Sequence, residues 1–373
     1  MNVIYPEVTQ GIVNRVTTSY FRYQGWPSVA RDENGIVYAV ASSFRTHHID
    51  TFGKTAMYIS KDEGKTWTPP IVINDTFMDD RDAGILYMGN GKLLVSWFTH
   101  SREFYQETFP EYIVKYAPEQ TKKMVAGGLE DYNALPEEVA NGGCYVRISE
   151  DYGVTWGDII QVPVSSPHGP NICKDGTLIY LGNRMYDNNR KHPDNPDRNQ
   201  RCVFCKSTDG GYTWEEVYVF PMPEWLKESE YLCECHVTEL PDGKLLGSFR
   251  YGGRPIHFTV ATSVSEDGGK TWSDIVSTEV NGAPPHLLVH SSGAIICSIG
   301  RREEPFGPRA VVSYDNGETW TEEYVLDDRA KEGDLGYPAT VELDDGSLIT
   351  VYYQKFPGDD YCSILYSKWN LKK

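Results

Sequence analysis

A carboxylate and a phenol occupy matching places in one recurring pattern of this chain. Glu234 stands in C-E-C-H-V and Tyr337 in G-Y-P-A-T, each nine positions ahead of a turn glycine, Gly243 and Gly346. A phenol with a pKa of about 10 is a poor nucleophile at neutral pH, but an adjacent carboxylate can take its proton as it attacks. An uncharged nucleophile suits a sugar that carries its own negative charge beside the anomeric carbon, where a carboxylate would be repelled. Such chemistry is the exception to the two-carboxylate scheme of most glycosidases.

The same offset of nine picks out four more positions: Trp26, Asp82, Pro167 and Pro284. Asp80, Arg81, His168, His236 and His286 lie within one or two residues of the six, and His48 lies between two later strands of the first unit. Ionisable groups at the start of an otherwise apolar strand are not what core packing asks for; meeting on one axis, they would make a binding site. The next strand of five units ends on arginine: Arg45, Arg102, Arg184, Arg250 and the pair Arg301–Arg302. Guanidinium groups bind carboxylates bidentately, so this cluster predicts an anionic ligand, most simply a sugar acid.

The elements that must position these groups are repeated. Six turn signals, at Gly35, Gly91, Gly176, Gly243, Gly293 and Gly346, each precede a short apolar run, as in P-D-G-K-L-L, the mark of a β-hairpin. Five copies of S-x-D-x-G-x-T-W follow, at 60–67, 149–156, 207–214, 265–272 and 313–320. Their Asp can close a tight turn, their Gly permits positive φ, and their Trp can pack between neighbouring units, so the boxes read as folding elements. Four strands per unit and six units predict an all-β chain, a six-bladed β-propeller with four-stranded antiparallel blades, forming one domain over 1–373. The last unit lacks a box and an outer strand, which the N-terminal stretch around 11–19 is expected to supply. A long insertion, 99–141, carries short helical pieces and is expected to cover one rim of the central site.

Composition narrows the partners. With 53 acidic against 35 basic residues, the net charge of −18 argues against nucleic acid and anionic membrane surfaces. No apolar stretch approaches a membrane span, and the N-terminus has no secretion signal, so a cytoplasmic location is expected. Eight cysteines then read as free thiols. Cys202-x-x-Cys205 and Cys233-x-Cys235 lie in expected strands, where the first pair faces opposite ways, so buried thiols are preferred to zinc. No cofactor or metal is called for.

The boxes, E-C-H-V-T-E-L-P-D-G-K-L-L-G-S-F-R (234–250) and G-Y-P-A-T-V-E-L-D-D-G-S-L-I-T-V-Y-Y (336–353) resemble the sialidase (neuraminidase) superfamily over essentially the whole chain. The resemblance implies a Tyr nucleophile at Tyr337, its assisting Glu at Glu234, one Arg of a carboxylate-binding triad at Arg250, and an acid/base Asp at Asp50 in F-R-T-H-H-I-D-T-F-G. It also implies a triad Arg before the last box, for which Arg301, Arg302 and Arg309 are candidates. The first triad Arg is absent, its place taken by Gly25 in Q-G-W-P-S. The expected activity is retaining exo-hydrolysis of a terminal sialic acid or related acidic sugar from a glycan. Two alternatives stand beside it: a propeller glycosidase or lyase using His and carboxylate groups on a uronic-acid or neutral glycan, and a non-catalytic glycan-binding propeller.

Overall fold

At each of the six turn glycines φ lies between +78° and +88°, a conformation that lets the chain reverse between two strands. A computed structural model describes residues 1–184, 202–227, 229–253 and 257–372. The strands form six sheets around one axis, each built on four antiparallel strands, a six-bladed β-propeller. Blade 1 runs Tyr23–Arg31, Val37–Arg45, Lys54–Ser60 and Ile71–Asn74 from the axis outward, and blade 2 runs Arg81–Gly89, Lys92–Thr99, Gly143–Ser149 and Ile160–Val162. Blade 3 starts at Asn171–Ile172, blade 4 at Tyr231–Glu239, blade 5 at His286–Val289 and blade 6 at Gly336–Glu342.

Blade 6 receives its outer strand from the N-terminus, as expected, but from Thr9–Asn14 rather than a segment reaching residue 19. The strand before it, Asn2–Ile4, pairs in parallel with Glu322–Val325 as a fifth strand of blade 5. One short segment thus ties two blades across the closure of the ring.

Six buried apolar clusters alternate with the blades, one at each blade–blade interface. Box residues Trp67, Trp156, Trp214, Trp272 and Trp320 each pack into the interface with the preceding blade. Trp369 fills the sixth interface although no box precedes it. Within every box the Ser hydroxyl donates to the Asp and accepts the Gly amide, while the Asp takes the Thr amide and hydroxyl, as in Ser265–Asp267 (2.9 Å), Gly269–Ser265 (2.7 Å) and Thr271–Asp267 (2.9 and 2.7 Å). The boxes are turn locks. Cys202 and Cys235 share one interface and Cys205 lies in another, so the C-x-x-C pair does face opposite ways.

The insertion folds as helices Arg102–Thr108, Glu119–Asn133 and Glu137–Ala140 with a π turn, Phe109–Ile113. They enclose a small core of their own, including Tyr105, Ile113, Leu129 and Tyr132, seated on Met78 of the blade 1 to blade 2 connection. Among the described residues no helix is long and apolar enough to cross a membrane.

The box locks predict acid sensitivity. Hydrogen bonds from Thr213 and Thr271 hold the Asp209 and Asp267 carboxyls at about 2, below the ordinary 3.8. A depressed folded pKa contributes stability that is complete above about pH 4 and lost as pH falls towards 2. The Asp267→Asn protein should therefore lose less melting temperature between pH 4 and pH 2 than the wild type; parallel curves would show that the boxes do not carry the acid response.

Candidate active site

The inner strands do not run straight to the axis. In four blades the ladder skips two residues at the strand start, between Gly25 and Ser28, Arg81 and Gly84, Cys233 and His236, and Gly336 and Ala339. The first residue of each skip is Trp26, Asp82, Glu234 or Tyr337, and each adopts a left-handed φ of +46° to +53°. A β-bulge of this kind re-aims a side chain out of the pleat, here into the funnel. They are four of the six positions that the offset of nine singles out; in blades 3 and 5 the other two, Pro167 and Pro284, precede the inner strand.

Glu234 and Tyr337 come together. Tyr337 Oη donates to Glu234 Oε1 at 2.6 Å, and the Arg250 guanidinium pairs with Glu234 Oε2 and lies 3.5 Å from the phenol oxygen. Burial, reinforced by Glu234 and Asp82, pushes the Tyr337 phenol well above its ordinary value. Burial also opposes charge on Glu234, but Arg250 and the phenol hydrogen bond outweigh it and leave that carboxyl lowered. The couple is therefore a neutral phenol bonded to a carboxylate.

The arginines divide. Arg302 stands with its guanidinium carbon 5.3 Å from the Tyr337 ring centre, donating to Leu335 O and Tyr353 Oη. Both Arg250 and Arg302 lie over the Phe258 ring. Arg81 lies 4.3 Å over Trp26, whose ring is 6.4 Å from that of Tyr337. Arg45 also reaches the Trp26 ring, 4.8 Å from its centre, but is fully buried and saturated by Asp79, Ser42 and the carbonyls of His47 and His48. The remaining arginines are not brought here. Arg309 is spent on four backbone carbonyls, and both it and Arg301 pair with Glu323. Arg102 pairs with Glu137 and Arg184 with Glu216. A rim of five clustered arginines is thus corrected to Arg250, Arg302 and Arg81.

Asp50 is also corrected. It is completely buried, and its carboxylate is turned into its own loop, where it accepts from Thr46 N and Oγ1 at 2.5 and 2.6 Å and from Phe52 N at 2.5 Å. The carboxyl that neighbours the couple is Asp82. Burial, with the Glu234 charge added and Arg81 opposing, raises it to about 7, and its Oδ1 has no hydrogen-bond partner.

Histidines from three blades line the axis beside the couple. The rings of His168, His236 and His286 lie 4.7 to 6.0 Å apart, and that of His168 is 6.5 Å from Tyr337. Burial lowers all three, so they are neutral. Nδ1 of His236 accepts the Leu287 amide at 3.0 Å, which places that ring's proton on Nε2. Both ring nitrogens of His168 are buried without a partner. His48 binds Asp334 through Nδ1 at 3.0 Å and meets Trp26 edge-on at 5.0 Å.

Asp334, Tyr23, Tyr231 and Asp79 escape a reading that stops at the strand starts. Asp334 accepts from Tyr23 at 3.0 Å and Tyr353 at 3.2 Å, and Asp79 holds Arg45 and Arg81. The Tyr231 hydroxyl bonds to Arg250. All four sit three residues before a bulge residue, so a second offset would have found them.

Comparison with known proteins agrees with this fold. Residues 132–350, more than half of the chain, match the family described as BNR repeat-like domain, and 58–69 match a BNR/Asp-box repeat. The chain belongs to the BNR repeat-like family. No curated protein sequence matches it. A Dyadobacter fermentans protein of unknown function is similar in structure at a TM-score of 0.74 and 23% identity, covering 98% of this chain and 99% of that one. An intramolecular trans-sialidase from Ruminococcus gnavus gives 0.63 and 16%, covering 94% and 95%. An α-L-arabinofuranosidase from Fusarium graminearum gives 0.61 and 15%, covering 94% and 93%. The protein is a divergent BNR propeller with the fold of the sialidases.

Asp82 should declare itself in stability. Its folded pKa of about 7 exceeds the ordinary 3.8, so its charged form is disfavoured in the fold. The resulting loss of stability is absent below about pH 4 and grows as pH rises to about 7. Asp82→Asn should raise stability at pH 7.5 by about 1 kcal/mol or more and flatten the pH dependence between 4 and 7. Urea unfolding that finds the variant no more stable would place Asp82 in contact with solvent.

Proposed function

We propose that the protein is a retaining exo-glycosidase that removes a terminal acidic sugar, of which sialic acid is the type, from a glycan. The observation that carries the reading is the 2.6 Å bond from the neutral Tyr337 phenol to the Glu234 carboxylate. Tyr337 Oη attacks the anomeric carbon while Glu234 Oε1 takes its proton. Asp82, whose raised pKa keeps a proton near neutral pH, gives that proton to the leaving oxygen. In the second half the Asp82 carboxylate takes a proton from water, the water oxygen attacks the same carbon, and Glu234 returns its proton to Tyr337. Arg250 and Arg302 receive the sugar carboxylate, and Arg81 lends a third positive charge in place of the arginine absent at Gly25.

A second reading has its own support. The axis presents neutral imidazoles, and His168 and Asp82 keep unpartnered polar atoms. Such groups suit the hydroxyls of a neutral glycan, the class on which the Fusarium arabinofuranosidase acts by its name.

Aryl-glycosides of acidic and neutral sugars, assayed for phenol release, separate the two. Tyr337→Phe should cut turnover by roughly a thousandfold or more while leaving the melting temperature nearly unchanged, since only an interaction used in the transition state is lost. A stability loss with unchanged rate would make Tyr337 structural. Arg302→Ala should weaken acidic substrates by roughly a hundredfold and spare neutral ones, and Arg302→Lys should not restore the loss. Equal losses on both would favour the neutral reading. In the wild type, turnover should fall above about pH 7 as Asp82 loses its proton, and Asp82→Asn should slow poor leaving groups far more than activated ones.

A further inference from the structure

The loop between the second and third strands of blade 1 has two sides. On one, His48 meets Trp26 in the funnel; on the other, Thr51, Phe52 and Gly53 line a separate cavity of about 420 Å³ between blade 1 and the helical insertion. That volume lies in the range of small-molecule sites. Its walls are aromatic and acidic together: Phe21, Phe44, Phe52 and Phe77, with Asp75 and Asp131.

The loop and helix that frame it are closely fitted. Phe44, at the wall, holds a left-handed φ of +60°, a costly conformation for a bulky residue. Gly128 sits inside the helix Glu119–Asn133, where glycine weakens the helix, and a Cβ there would strike Thr51. Thr51 is nine-tenths buried, its hydroxyl sealed against Gly128 rather than open to the cavity. Phe77, at the opening, is 75% exposed.

We propose that this cavity is a second carbohydrate site, which takes a sugar unit of the glycan away from the bond that is cut. Phenyl rings accept the C–H face of a pyranose or furanose. The Asp131 carboxylate accepts and orients its hydroxyls, and Lys54, paired with Asp75 at 2.5 Å, adds a donor. The site shares a loop with the funnel, so a bound sugar steadies the loop that carries His48. The choice of sugar as ligand rests on the glycosidase reading; the cavity itself does not.

The test uses the full chain with Tyr337→Phe, which prevents turnover, titrated calorimetrically with 3′-sialyllactose, arabinopentaose, xylopentaose and maltopentaose. At least one should bind, and adding Phe77→Ala or Asp131→Ala, both exposed positions, should weaken it roughly five- to tenfold. Hydrolysis of small aryl-glycosides by Phe77→Ala in the wild-type background should be unchanged. Failure of every saccharide to bind, or affinities that both variants leave within about twofold, would overturn the proposal. Pentasaccharide binding that depends on Phe77 in a protein without turnover would sink the glycosidase reading and keep this site. Turnover that needs Tyr337, with binding indifferent to Phe77, would do the reverse.

Discussion

Side chains on a β-strand alternate between the two faces of its sheet, and neither face of a propeller blade looks down the central axis. To aim a group into the funnel, the backbone must leave the pleat, and in four blades it does so through a left-handed residue that is not glycine. Each such residue costs of order 1–3 kcal/mol and persists only where its surroundings over-determine it. The bulge frees backbone groups that must find partners. Side chains of the preceding blade supply them. At the bulge of blade 4, Asn183 Oδ1 accepts the Glu234 amide at 3.0 Å and Ser166 donates to Cys235 O. The site is thus assembled by blade–blade packing, the interaction that the boxes and their tryptophans secure.

Charge is placed with the same economy. The chain carries a net −18, yet cations gather where Glu234 must stay ionised. A buried carboxylate without a partner would take up a proton, and Arg250 prevents that for Glu234. No side chain bonds Asp82 Oδ1, and Asp82 keeps a raised pKa a short distance away. Two carboxyls in one funnel are thereby driven apart in proton affinity, which is the condition for dividing acid and base roles between them. The pair Arg45–Asp79, both fully buried, does different work: it closes the base of the loop that carries His48 and Asp50.

The repeat made the blades legible, because hairpin glycines and boxes are local signals that recur once per unit. It also made the bulge residues legible, because a fixed count from a turn glycine lands on the bulge in four of the six blades. The arginines were not. Whether a strand-end side chain faces the axis depends on the parity of its last residue, so Arg302 stands over Tyr337 while its neighbour Arg301 turns to Glu323. Arg309 lies further on, along the next strand, where its donors meet carbonyls of its own hairpin. Asp50 was misplaced for a related reason. Its position in the chain matches the family's acid, but Thr46, four residues before it, captures the carboxylate within the loop.

The insertion carries no repeat, and its helices obey a different period from the strands around them, so only its length announced it. Its effect falls on the same loop. Tyr105 donates to Asp79 at 3.0 Å, and Tyr132 donates to Thr51 O at 3.1 Å while accepting the Asp79 amide at 2.8 Å. Tyr112 packs against His47. These contacts fix the loop from outside the ring and fasten it to the face that holds Asp79, the side on which Asp50 is sealed. In blade 1, therefore, three departures belong together: Gly25 where the family has an arginine, a carboxylate folded into its loop, and a helical block that grips that loop. On this side the funnel is lined instead by Trp26, by Arg81 stacked on it, and by His48 held by Asp334.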